Sequence, residues 1–165
     1  MNMQERLAGI KLVLTDCDGV LTDGGVYYGE TGEVLKKFNI RDGMGVERLR
    51  KFAQVPTGII TGEMSPSVKQ RAAKLSITEL HLGIKDKERV LAEIIERLQV
   101  VPSEIAYIGD DVNDLVVRPF VGLFFCPSDA LAQVKKQADV VLTLPGGAGC
   151  FREMAELILA AKGIN

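Results

Sequence analysis

The chain has 165 residues, the size of one domain with one core, so residues 1–165 are expected to fold as a single unit. Its 47% hydrophobic and 25% charged residues fit a globular protein, and a formal net charge of −2 gives no nucleic-acid footprint. Cys17, Cys126 and Cys150 are far apart and form no C-x-x-C pair, which argues against a disulfide framework or a zinc site and for a reducing compartment. Met1 to Gly9 is polar and charged, unlike a signal peptide, and no apolar run approaches the roughly 20 residues of a membrane span. A cytoplasmic protein with neither membrane nor nucleic acid as partner is expected.

Short apolar runs alternate with helical patterns along the chain. Ile10 to Leu14 reads as a buried strand, and Val46, Leu49 and Ala53 recur at helical spacing. Ile59-Ile60 ends a second strand. Ser65-Pro66 is a helix start, an N-cap followed by proline, and that helix turns Val68, Ala72 and Leu75 inward. Leu80 to Leu82 is a short strand. Asp86 caps a helix whose Val90, Leu91, Ile94, Ile95 and Leu98 form one apolar stripe. Ile105 to Ile108, Val121 to Phe125 and Val140 to Leu142 complete the strands, with Ser128 capping a helix between the last two. A final helix begins near Gly149 and buries Phe151, Met154, Ile158 and Leu159.

Repeated β-α-β units with short connections predict an α/β, Rossmann-like parallel sheet with helices on both faces. Gly24 to Ile40 breaks the pattern. Val26-Tyr27-Tyr28 and Val34 to Ile40, separated by Gly29-Glu30-Thr31-Gly32, read as a β-hairpin projecting just after the first strand.

In open parallel sheets ligands bind beyond the carboxyl ends of the strands. Asp16 and Asp18 follow the first strand, Thr61 the second, Lys87 the third, and Asp110, Asp111 and Asp114 the fourth. Carboxylates converging on one pocket repel and raise one another's pKa values. A hard divalent cation resolves this, and magnesium suits a site of few carboxylates plus waters and substrate phosphate. Thr61 offers a hydroxyl donor and Lys87 a positive charge for phosphoryl oxygens. One carboxylate can attack phosphorus while a second, two residues on, protonates the leaving oxygen.

With these motifs in this order, the chain resembles the haloacid dehalogenase superfamily of phosphotransferases over nearly its whole length. The resemblance implies Asp16 as nucleophile, Asp18 as acid/base, and Thr61 and Lys87 on the phosphoryl group. It implies magnesium on Asp16, the Asp18 carbonyl and Asp110, supported by Asp111 and Asp114. Residues 19–60 and the interval from Thr61 to Lys87 leave no room for a cap domain. Asp18-Gly19-Val20-Leu21-Thr22-Asp23-Gly24, Phe38-Asn39-Ile40-Arg41-Asp42-Gly43, Ile60-Thr61-Gly62 and Gly146 to Glu153 are similar to small capless phosphatases of 2-keto-3-deoxy sugar acids. That group comprises eight-carbon 8-phosphate and nine-carbon 9-phosphate enzymes.

This resemblance implies an anionic sugar-phosphate substrate and a homotetramer in which a neighbour's hairpin and C-terminal segment help close each site. Thr61, Gly62, Lys87, Arg41 and Arg152 are further candidates for substrate contact. Glu63, Arg71 and Lys74 look like the nine-carbon group and Arg41-Asp42-Gly43 like the eight-carbon one, with a slight lean to nine carbons. A receiver-type signalling domain, the main rival, would place its phosphoacceptor on the third strand. A non-catalytic assembly module would not need the full motif set. His81, the one histidine, reads as structural.

Overall fold

Strand β1 (Leu12–Thr15) has all four residues buried. It lies at the centre of a six-stranded parallel sheet in the computed structural model, which describes residues 2–164. After β1 come the hairpin strands β2 (Tyr27–Gly29) and β3 (Gly32–Leu35), then helix α2 (Ile40–Ala53) and β4 (Thr57–Ile60). Helix α1 (Met3–Ala8) precedes them all. Helix α3 (Pro66–Lys74), β5 (Glu79–His81), α4 (Lys87–Leu98) and β6 (Ile105–Ile108) follow. A 3-10 segment (Val112–Phe120), β7 (Leu123–Cys126), α5 (Ala132–Lys135), β8 (Val140–Val141) and α6 (Cys150–Ala161) complete the chain.

The sheet order is β5-β4-β1-β6-β7-β8. The chain builds outward from β1 to β4 and β5, then returns to lay β6 on the other side of β1. The carboxyl end of β1 is therefore the switch point where such sheets hold ligands. Side chains alternate about the sheet as strand geometry requires. Val13, Ile59, Ile108 and Phe125 join one buried cluster with Val46 of α2 and Phe151 and Met154 of α6. Leu14, Ile60, Tyr107 and Phe124 join the other, with Val90, Leu91 and Ile94 of α4. Both faces of the sheet are covered, as predicted.

The helix starts obey local chemistry. Ser65 accepts from the Val68 N–H and Pro66 opens α3, while Asp86 accepts from the Arg89 N–H and opens α4. Gly149 has no side chain with which to cap α6, and Asp42 of α2 supplies the missing acceptor to the Arg152 N–H at 3.0 Å. Two expectations need correction. Ser128 caps no helix: its N–H donates to the Leu144 carbonyl in a turn, and α5 starts later from Leu131, which offers no side-chain cap. The second hairpin run also stops early. β3 ends at Leu35, because Asn39 accepts from the Arg41 N–H and starts α2 at Ile40.

The hairpin stands apart from the main sheet, and Tyr27, Tyr28, Val34 and Leu35 are exposed. No cap domain is present among the described residues. No helix among the described residues is long and apolar enough to cross a membrane.

Candidate active site

Beyond β1 the chain turns sharply, with the N–H groups of Val20, Leu21 and Thr22 all directed at the Cys17 carbonyl. This turn brings Asp16 and Asp18 to the mouth of a cleft of about 180 Å³. Thr61, Gly62 and Glu63, following β4, form one wall. Asp110, Asp111 and Asn113, following β6, form the other. Gly19 makes the approach possible. Its φ is +85°, and a Cβ there would lie 2.0 Å from Asp110 Oδ2. Gly146 has a similar role, since a Cβ there would meet the Gly19 carbonyl at 2.0 Å.

Asp16 is buried. Its Oδ1 accepts from the Cys17 N–H at 2.8 Å and lies 3.2 Å from Lys87 Nζ. Lys87 in turn reaches Asp114 Oδ1 at 2.7 Å and the Tyr107 hydroxyl at 3.2 Å. Asp114 is fully occupied: Oδ1 accepts from Lys87 and Tyr107, and Oδ2 from the N–H groups of Asp110 and Asp111. Asp111 accepts from the Val112 N–H and starts the 3-10 segment. Asp111 and Asp114 thus form a capping box at the start of that segment, and both also stand beside the cleft.

Carboxylate oxygens of Asp16, Asp110 and Asp114 lie within 4.8 Å of one another. Three carboxylates against one ammonium leave two negative charges, the charge that one divalent cation neutralises. Asp114 is saturated, so the atoms open to a cation belong to Asp16 and Asp110. Asp110 Oδ1 is buried without a hydrogen-bond partner, as a ligand oxygen awaiting a metal would be. Burial first, and the Asp114 charge next, push the Asp16 carboxyl up to about 7. Burial, then Asp114 and Asp16, do the same to Asp110. Burial alone would lower Lys87, but Asp114 and Asp16 outweigh it and hold the ammonium charged. An all-oxygen set of this kind fits magnesium.

Cys17, between the two aspartates, is no rival nucleophile. Burial and the charges of Asp18 and Asp16 push its thiol far above the ordinary range. Asp18 differs from Asp16 in its surroundings. Its Oδ1 is 2.7 Å from Lys36 Nζ, and its Oδ2 is buried without a partner.

Asp16, Asp18, Thr61, Gly62, Glu63, Lys87, Asp110, Asp111 and Asp114 therefore gather at one site. The remaining candidates lie elsewhere in this chain. Arg71 donates to the Asn39 carbonyl at 3.0 Å and sits over the Phe38 ring. Arg71 and Lys74 line a separate surface hollow with Ile40, Met44 and Glu47. Arg41 is exposed, and the Arg152 guanidinium pairs with Glu156 at 2.6 Å along α6. His81 pairs with Glu79, in keeping with a structural role.

Sequence reasoning missed three participants. Tyr107 is a lone hydroxyl in an otherwise aliphatic strand, and that oddity was the available signal. Asn113 lines the cleft and carried only its place beside the acids. Lys36 and Lys37 are neighbours in an apolar run just past β3, and they turn opposite ways. Lys37 reaches solvent and Asp23, whereas Lys36 is buried against Asp18.

No family model matches the chain. It is 41% identical over 161 residues to the 3-deoxy-D-manno-octulosonate 8-phosphate phosphatase of Haemophilus influenzae, covering 98% of this chain and 89% of that one. The crystal structure of the enzyme of that name from Yersinia pestis matches with a TM-score of 0.94 at 40% identity, over 97% of this chain and 86% of that chain. The Moraxella catarrhalis enzyme, crystallised with magnesium, phosphate and KDO, matches with a TM-score of 0.92 at 35% identity, over 97% and 91%. With the fold, the strand-end motifs and these near full-length matches in agreement, the chain belongs to the 3-deoxy-D-manno-octulosonate 8-phosphate phosphatase family of the haloacid dehalogenase superfamily.

Proposed function

We propose that this protein is a magnesium-dependent phosphomonoesterase that hydrolyses 3-deoxy-D-manno-octulosonate 8-phosphate through an aspartyl-phosphate on Asp16. The observation that carries the reading is the pairing of two unlike carboxyls on one cleft: Asp16, braced by Lys87, and Asp18, with Oδ2 buried and unpartnered. Asp16, Asp110 and the Asp18 main-chain carbonyl would hold the cation. Magnesium, when bound, neutralises the two surplus carboxylate charges and draws in a phosphate dianion.

The residues then divide the work. An Asp16 oxygen attacks phosphorus, the phosphorus–oxygen bond to the sugar breaks, and its electron pair stays on the leaving oxygen. Asp18 gives that oxygen a proton and becomes a carboxylate. In the second half Asp18 takes a proton from water as the water attacks phosphorus. Asp16 is released and inorganic phosphate departs. Thr61 Oγ1 and the Lys87 ammonium bind and orient the phosphoryl oxygens, and Lys87 remains anchored by Asp114 throughout.

The eight-carbon substrate is favoured over the nine-carbon one, against the lean of Glu63, Arg71 and Lys74. The matched relatives are named for the eight-carbon ester. Arg71, one of the three residues that look like the nine-carbon group, spends its guanidinium on Asn39 and Phe38 of its own chain. Arg41, Lys74 and Arg152 lie off this chain's own cleft, so contact with a sugar acid places them at a neighbouring copy's site in a homotetramer. The protein works in the cytoplasm.

The test is a magnesium-supplemented assay over eight- and nine-carbon ulosonate phosphates, with common sugar phosphates as controls. Preference for the eight-carbon ester is expected, and equal, poor rates on every ester would refute the substrate. Asp16→Asn should abolish turnover with the fold retained, and normal activity in that variant would refute the mechanism.

A further inference from the structure

The Lys36 side chain is buried, at 1% exposed, yet it sits on an otherwise exposed hairpin. Its Nζ lies 2.7 Å from Asp18 Oδ1 and 3.0 Å from Glu33 Oε2. Glu33 accepts from the Ser65 hydroxyl at 2.5 Å, and Ser65 caps α3 just beyond the Thr61-Gly62-Glu63 wall. The chain of contacts Asp18–Lys36–Glu33–Ser65 therefore crosses from one side of the cleft to the other by way of the hairpin. Burying an ammonium is costly unless good geometry and paired charge offset it, and here two carboxylates supply both.

Resting on the phosphatase reading above, we propose that Lys36 is a positioning residue for the leaving-group step: it fixes Asp18 Oδ1 so that Oδ2 alone faces the departing oxygen. The asymmetry of Asp18 supports this. Oδ1 takes Lys36 and, more distantly, the Thr22 hydroxyl at 3.4 Å, whereas Oδ2 is buried with no partner. A lysine N–H can donate to Oδ1 whether Asp18 is a carboxylic acid protonated on Oδ2 or a carboxylate. The same contact thus holds the carboxyl plane before and after the proton moves. Lys36 makes no contact with Asp16, Lys87 or Asp110, so attack on phosphorus does not depend on it. The hairpin becomes the carrier of the acid's orientation.

The prediction separates leaving groups. An alkyl phosphate such as the sugar-acid ester needs a proton on its leaving oxygen, and p-nitrophenyl phosphate does not. The ratio kcat/KM stops at release of the leaving group, so the later water step cannot blur the comparison. Wild type, Lys36→Met, Lys36→Arg and Glu33→Gln would be assayed with magnesium on both esters, with thermal melts as a check on folding. Lys36→Met should lower kcat/KM on the eight-carbon ester by about 10²-fold, the lower end of what a positioned general acid contributes, and by at least about tenfold less on p-nitrophenyl phosphate. Lys36→Arg should recover part of the selective loss. Glu33→Gln, which leaves the Lys36–Asp18 contact in place, should show the same selectivity at smaller size, and it carries the test should Lys36→Met not fold. Equal losses on both esters, or no loss in any variant, would overturn the assignment. A wild-type protein that cleaves neither ester would overturn the phosphatase reading beneath it.

Discussion

Replacing Asp16 by asparagine separates the electrostatic strain of the site from its use. Burial, and then the charge of Asp114, lift the Asp16 carboxyl from 3.8 to about 7, with Lys87 offsetting them only in part. The folded value lies above the unfolded one, so the native state holds the extra proton between the two and metal-free stability falls as pH rises through that window. At 1.36 kcal/mol per unit, about three units set a ceiling near 4 kcal/mol. Coupling to Lys87 and Asp114 reduces the expected figure to about 1–3 kcal/mol. Asp110 moves the same way, because the Asp16 charge helps to raise it. The assay is urea denaturation of chelator-treated wild type and Asp16→Asn at about pH 4, 6 and 8. The two should agree near pH 4, and the variant should be the more stable by the stated amount near pH 8. Saturating magnesium should then stabilise wild type far more than the variant, because only wild type keeps the anionic ligand. A variant less stable than wild type at pH 8 without metal, or a gap that ignores pH, would refute the reasoning.

Asp114→Asn should lower stability by about 1–3 kcal/mol, since an amide has one acceptor oxygen where four donors now converge and a buried donor is left unpaired. Calorimetry should register a fall of about 2–4 °C per kcal/mol, and turnover should drop as Lys87 loses its anchor. Gly19→Ala should cost about 1–2 kcal/mol for the left-handed backbone alone, before the clash with Asp110 is counted. It should also raise the magnesium concentration for half-maximal activity by about tenfold, the scale of displacing a ligand's support. Gly163→Ala, with φ +75° and open space around its Cβ, is the control that bears only the backbone part.

The order of the elements and the acids at strand ends were legible because both follow from short-range rules. A run such as Ile105 to Ile108 sits on the central strands with no choice of face, and Ser65-Pro66 leaves α3 little freedom in where to begin. Ser128 was misread because a capping residue signals a helix only where the next turn supplies one, and here the Leu144 carbonyl takes its N–H instead. The site was legible as far as backbone order could carry it. Lys36 was not, since nothing local distinguishes it from Lys37, and only the path of the hairpin decides which lysine meets Asp18. Arg71 shows the converse. Its spacing from Lys74 put both on one helix face, but Asn39 and Phe38 of α2's approach claim its guanidinium.

The two halves of the cleft are held to different standards of rigidity. Asp16, Thr61, Lys87 and Asp114 are buried; Asp16 and Thr61 directly follow strands, Lys87 opens α4 and Asp114 lies in the 3-10 segment, and Asp16, Lys87 and Asp114 brace one another through a network that includes the Tyr107 hydroxyl. In the proposed function that network sets where phosphate and cation sit. Asp18 is half-buried, and its cation comes from a two-stranded ribbon whose Tyr27, Tyr28, Val34 and Leu35 face solvent. Isolated hairpins are marginal in water, so the ribbon needs contacts beyond its own ladder to stay in place. Lys36 on Asp18 and Glu33 on Ser65 are two such contacts, and both end at the cleft. A force that shifts the ribbon must therefore disturb the acid before it disturbs the nucleophile. On the proposed reading, phosphate binding is built into the sheet, whereas release of the sugar depends on the hairpin.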